Sequence, residues 1–198
     1  MRRLTEGVLK GDRQRRVIDS VLRATAEVLS RFGYAGLRVE EVAARSGVNK
    51  TTIYRRWPTK PALIEATIDA FRLPEKGQNS GLVREDLIAA MRDYVRYART
   101  PIGHGIVRML QAERSDPEVD KLARKLKRQQ RAAVVPLIER AIARGRLPST
   151  VDAEFVNELI FGPLFSRLIT WGDRPNDAFI VDVVETVLAD ARARAQRP

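Results

Sequence analysis

The chain has 198 residues, 44% of them hydrophobic, with 36 Lys/Arg against 25 Asp/Glu and a formal net charge of +11. That length fits one generous domain or two small ones, and the lack of cysteine excludes disulfides, thiolate zinc sites and cysteine nucleophiles, in keeping with a reducing compartment. No apolar run approaches the ~20 residues that span a bilayer, and the opening MRRLTEGVLK has no uninterrupted apolar stretch of the signal-peptide kind, so a soluble, cytoplasmic protein that does not engage a membrane is expected.

The charge is unevenly spread. Residues 1–60 hold 14 Lys/Arg and 6 Asp/Glu, a net of +8, and residues 61–198 hold the remaining 22 and 19, a net of +3. The excess therefore sits in the first third, as phosphate-binding surfaces require, because cations that neutralise phosphates release counterions.

In chain order, residues 1–12 carry Arg2, Arg3, Lys10 and two glycines and read as a flexible basic arm. From residue 13 to 31, Val17, Ile18, Val21, Leu22, Thr25, Val28 and Leu29, followed by Phe32, keep a helical period. Gly33 and Gly36 bracket a turn that places Tyr34 between helices. Residues 39–45 form a short amphipathic helix with Val39, Val42 and Ala43 on one stripe. Gly47 stops it, since the residue past a last turn commonly needs positive φ. Asn49 is a good N-cap for the next helix, residues 50–57, anchored inward by Ile53 and Trp57. Its opposite face offers Lys50, Thr51, Thr52, Tyr54, Arg55 and Arg56: hydroxyls, a phenol and three cations, but no acid. Such a face suits a DNA groove. A short helix pair with a glycine turn in an ordinary bundle, its surface cations merely solvated, is the plainer alternative.

The stretch FGYAGLRVEEVAARSGVNKTTIYRRWPTKPAL, residues 32–63, resembles the N-terminal DNA-binding domain of the TetR family of bacterial transcriptional regulators. The resemblance implies that Thr51, Thr52 and Tyr54 touch bases or phosphates, and that Lys60, at the start of the following helix, holds a phosphate. Two positions depart from the family pattern. Leu37-Arg38 stands where a Thr or Ser is usual, and Trp57 where Phe is usual. The missing hydroxyl cap should cost about 0.5–2 kcal/mol unless Glu41 reaches back to the free amide.

Thr59 and Pro61 open a helix at residues 60–72, apolar over much of its circumference. Residues 73–81 read as a loop, followed by helices at 82–99 and 106–114. A long helix at 117–144 contains Pro136, which removes a backbone hydrogen bond. Helices at 153–171 and 177–193 complete an all-α count of nine, with no convincing strand and no internal repeat. The helix at 153–171 is apolar nearly all round and needs cover on two sides, for which a second subunit is the simplest source. Phe155, Leu159, Phe161 and Leu168, with Phe179, Val183, Val184 and Val187 from the last helix, are the candidate dimer interface. The end of the chain also resembles the regulatory domain of many TetR-family members, though less specifically. The expected layout is thus an arm over 1–12, a helix-turn-helix domain over 13–60 and a helical ligand-binding and dimerisation domain over 61–198, a nine-helix TetR-like architecture.

No nucleophile with a base, rigid carboxylate pair, metal cluster or phosphate-cradling glycine loop stands out, so no enzyme activity, cofactor or metal is expected. His104, the single histidine, lies between two glycines without an acidic neighbour. The acids Glu113, Asp116, Glu118 and Asp120 cluster at a helix junction and read as caps and solvated charge. The function expected is a homodimeric regulator, a repressor on a (pseudo)palindromic double-stranded DNA operator. Two-fold symmetry doubles the readout of a motif that alone sees few base pairs. Control by a small-molecule effector, tilting the 60–72 helix from among the helices of 60–145, is what the resemblance implies. Phe71, Met91, Tyr94, Met109 and Phe165 are its candidate contacts, each also readable as ordinary core. The alternatives are an effector-independent architectural DNA-binding protein and a helical module that contacts an acidic protein partner.

Overall fold

The computed structural model describes residues 2–71, 80–113 and 115–193, with side chains from residue 14 onward. The side chains of the basic arm and most of the 73–81 loop therefore lie outside the described residues. Among those described the fold is all α: α1 (Arg2–Gly36), α2 (Val39–Ser46), α3 (Lys50–Arg56), α4 (Lys60–Ala70), α5 (Val83–Ala98), α6 (Pro101–Ala112), α7 (Pro117–Ala143), α8 (Ala153–Phe165) and α9 (Asp177–Ala193). A π-helical segment, Ser166–Trp171, prolongs α8 where a uniform helix to residue 171 was expected.

These helices form two compact units, one from Met1–Arg72 with Thr100–Val119, the other from Leu73–Arg99 with Asp120–Pro198. The first reaches past residue 60 to take in α4 and α6. Its floor is α1, whose Val21, Leu22, Val28 and Leu29 are buried, and against which α2, α4 and α6 pack. Val42, Ile53, Ile64 and Met109 are wholly removed from solvent, each worth about 1.5–3 kcal/mol of burial for a side chain of this size. Phe32, expected on the inner stripe of α1, is instead 46% exposed, with the Arg31 guanidinium over its ring.

The start of α6 also departs from expectation. The helix begins at Pro101 and not at Ile106, because Thr100 Oγ1 accepts from the Gly103 amide at 3.1 Å and Pro101 occupies the first turn. Gly103 and Gly105, which precede the helix expected over 106–114, are buried within α6. A Cβ on Gly105 would lie 2.8 Å from Leu29 Cγ and 3.0 Å from the Ser30 backbone nitrogen, so the missing side chain is what lets α6 lie close on α1. His104 faces outward and its Nδ1 lies 2.9 Å from Ser30 Oγ.

In the second unit α9 packs against α5 and α8. Its core holds Leu87, Met91, Ile138, Ile160, Leu164, Val184 and Leu188. One buried polar group there is satisfied within the core: Asn157 Oδ1 accepts from Gln130 Nε2 at 2.7 Å. Helix α7 continues through Pro136, and α8 through Pro163.

Candidate nucleic-acid interface

The helix-turn-helix is built as the sequence reads. Helix α2 starts after Arg38 with no side-chain cap; Glu41, expected to reach back, accepts from Arg45 Nε at 2.9 Å along its own helix. Glu40 and Glu41 nevertheless place negative charge in the first turn, where the free amides favour it. Gly47 turns the chain at φ 68°. Asn49 Oδ1 then accepts from the Thr51 amide at 2.8 Å, and Ile53, fully buried, fixes α3 onto its support.

That anchoring turns Lys50, Thr51, Tyr54, Arg55 and Arg56 into solvent, with Thr52 half-buried beside them. Arg56 lies over the ring of the half-buried Trp57, 5.6 Å from its centroid, leaving Tyr54 and Arg55 the freer reach. The sequence-level face had no acid of its own, but α2 supplies one at its edge: Lys50 Nζ is 3.9 Å from Glu40 Oε1, both well exposed. Lys60 opens α4 under the Thr59 cap, whose Oγ1 accepts from the Ala62 amide at 3.3 Å. Its ammonium donates to the Tyr34 carbonyl at 2.9 Å and sits 4.2 Å from the centroid of the Tyr34 ring.

On the far side of Tyr34, Glu113, at the end of α6, accepts from two consecutive amides: Tyr34 N to Oε1 at 3.0 Å and Ala35 N to Oε2 at 2.7 Å. The chain there passes through Gly33 at φ 71° and ψ −172°, and a Cβ on Gly33 would come within 2.3 Å of Glu113 Oε1. Burial raises the Tyr34 phenol above its ordinary value, with the carboxylates of Asp116, Glu118 and Glu113 adding to it. By sequence alone Glu113 reads as a cap or a solvated acid. Asp116 does cap α7, accepting from the Glu118 amide at 2.8 Å, but Glu113 joins two segments nearly eighty residues apart.

The remaining candidates are dispersed. Phe71 and Met109 belong to the first unit, half-buried and fully buried respectively. Met91 and Tyr94 lie in the second, where the Tyr94 ring is 4.3 Å from Phe161 and burial pushes its phenol up to about 12. Phe165 is exposed. Among the dimer candidates, Leu168, Val184 and Val187 are buried within the chain itself. Leu159, Phe161, Phe179 and Val183 are half-buried, and Phe155 is exposed. Arg167 lies over the Phe179 ring at 4.2 Å. Trp171, which is not among the interface candidates, is 73% exposed. Among the described residues no cluster of His, Cys, Asp or Glu is arranged to hold a metal, and no helix is long and apolar enough to cross a membrane.

Comparison with known proteins agrees with this geometry. Residues 21–67 match the family described as bacterial regulatory proteins, tetR family, and residues 78–187 match the tetracyclin repressor-like C-terminal domain. The chain is 32% identical over 174 residues to the DNA-binding transcriptional repressor TetR of Mycobacteroides abscessus, covering 85% of this chain and 90% of that one. Among solved structures, the TetR family transcription regulator SCO0332 is 30% identical, with a TM-score of 0.66 over 87% of this chain and 97% of that one. A cysteine mutant of CifR, solved with 26 bp double-strand operator DNA, shares the fold at 22% identity and a TM-score of 0.63, over 86% and 94% of the two chains. With helices, turn and outward cations in place, the chain belongs to the TetR family of bacterial transcriptional regulators.

Proposed function

We propose that the protein represses transcription in the cytoplasm as a homodimer on a (pseudo)palindromic operator, and that a small, mostly apolar effector releases it. The observation that carries the DNA-reading part is the split character of α3: Ile53 is wholly buried, while Lys50, Thr51, Tyr54, Arg55 and Arg56 all face solvent. Donors and cations set on a rigid helix read base edges and phosphates with no backbone left to order at the moment of binding. The exposed Phe155, Phe165 and Trp171 support a second copy as cover for the end of α8 and its π-helical continuation. Tyr94, beside Phe161, and the fully buried Met91 remain the effector contacts proposed within the second unit.

Selection of bound duplexes from a random-sequence pool tests the proposal. An inverted repeat with half-sites about one helical turn apart is the expected result. Equal retention of every sequence, with only a salt-dependent affinity, would instead mark an architectural DNA-binding protein.

A further inference from the structure

We propose that Glu113 is the positioning residue for the Lys60 phosphate contact, acting through the peptide of Tyr34. This rests on the reading of Lys60 as a phosphate ligand given above. A lysine ammonium on a flexible four-carbon stem loses rotamer entropy when it is held in one place. Here one of its three donors is spent on the Tyr34 carbonyl and the ammonium is further held over the Tyr34 ring. Both restraints come from one residue, so the place of the ammonium is the place of Tyr34. The two sides of that residue are held from opposite directions: its carbonyl by Lys60, its amide by Glu113.

Tyr34 is also held by its own burial and by the Leu37 amide, which donates to its carbonyl at 3.2 Å; Glu113 adds the hold on the peptide before it. Gly33, immediately before it, sits at φ 71° and ψ −172°, where α1 loses its helical geometry. A second carboxylate oxygen on the Ala35 amide makes the Glu113 grip a two-point one, which sets orientation as well as distance. Glycine at 33 is required twice over, by its φ and because a Cβ would collide with the carboxylate. Helix α6 thus holds, through the residue that caps its C-terminus, the seat on which the Lys60 cation rests. The remaining ammonium donors are directed from that seat, and a phosphate takes one of them with less side-chain freedom left to lose.

The test uses the full chain and a duplex recovered from the random pool, with affinity measured by fluorescence anisotropy across a salt series. Lys60→Ala should weaken binding and lower the salt slope by about one per protomer. Glu113→Ala should weaken binding at least about fivefold, the lower end of such couplings, and lower the slope in the same way, which loss of packing alone would not do. In the Lys60→Ala background Glu113→Ala should add nothing. Glu113→Gln, which keeps one acceptor oxygen, should fall between wild type and Glu113→Ala, and it decides the question if circular dichroism shows the alanine variant unfolded. An unchanged slope in the Glu113 variants, or effects that multiply in the double variant, overturns the proposal while leaving the DNA-binding reading intact. If Lys60→Ala binds like wild type, the phosphate contact and this proposal fall together. If wild type binds no recovered duplex, the reading of the interface itself falls.

Discussion

Arg92 grips Asp177 through two parallel hydrogen bonds, Nε to Oδ1 at 2.5 Å and Nη2 to Oδ2 at 2.7 Å, fastening α5 to the first turn of α9. The Arg92 guanidinium holds the Asp177 carboxyl below its ordinary value of 3.8, and the carboxylate in turn raises the arginine. A lowered acid contributes stability that is present above its unfolded value and lost as pH falls through the folded one. The melting temperatures of wild type and Arg92→Ala should therefore differ most at neutral pH and converge in acid below about pH 3.8. Both groups are exposed, so the difference should be small and should shrink with added salt.

Tyr94 titrates in the opposite sense. Its phenol, pushed to about 12 by burial, stays protonated in the folded chain after the unfolded chain begins to ionise near 10.0. The folded state then binds more protons than the unfolded one, and stability falls as pH rises through that interval. Tyr94→Phe should flatten the alkaline decline, as read by urea unfolding at pH 9 to 11, whereas an unaltered decline would place the phenol in contact with water.

Two glycines should respond differently to alanine. Gly105→Ala drives a methyl into Leu29 and the Ser30 backbone, and backbone cannot yield, so unfolding free energy should drop by about 1–3 kcal/mol despite alanine's better helix propensity. At Gly47 nothing lies within 4 Å of an added Cβ, and the cost is conformational, about 1–2 kcal/mol for forcing a left-handed residue. Restoring the left-handed preference with Gly47→Asn should recover part of that loss but Gly105→Asn should recover none.

Tyr54→Ala and Thr52→Ala should each weaken binding to the selected duplex by about 1–3 kcal/mol and relax its sequence preference. Tyr54 is 42% exposed, so its removal should leave thermal stability within about 0.5 kcal/mol. Arg55→Ala should weaken all duplexes alike and lower the salt slope by about one per protomer. Unchanged affinity in both the Tyr54 and Thr52 variants would move the interface off α3.

Phe155→Arg and Trp171→Arg place charge on exposed aromatic positions. Sedimentation should show each shifting the protein from dimer toward monomer, with operator affinity falling alongside because one motif then reads half a site. A dimer unaffected by both substitutions would put the subunit contact on another face.

The parts legible from the sequence are those whose cause is local. Gly47, Asn49 and Thr59 act on backbone within three residues of themselves, and the structure finds the left-handed turn and both caps. The inward Ile53 followed from helical spacing. What escaped notice depends on distant partners. Gly105 reads as part of a weak helix start until Leu29 and the Ser30 backbone are known to lie against it. Glu113 is an ordinary surface acid in sequence because its ligands, the amides of Tyr34 and Ala35, carry no side-chain signature. Phe32 has the right period to be core, yet α1 breaks at Gly33 and leaves it outside with Arg31. The pairing of the buried Asn157 with Gln130 is another contact between separate helices that neither residue type announces.

The placement of α6 beside α1 has a consequence for biosynthesis. The first compact unit closes only when Thr100–Val119 arrives, 47 residues after Arg72. At about 5–20 residues per second, a ribosome needs roughly 2–9 s to supply them. Throughout that delay the nascent reading head lacks the helix that covers Leu29 and grips Tyr34. A polypeptide terminated at residue 72 would accordingly emerge with that flank of α1 bare and sticky, a natural target for chaperones and not a self-sufficient fragment.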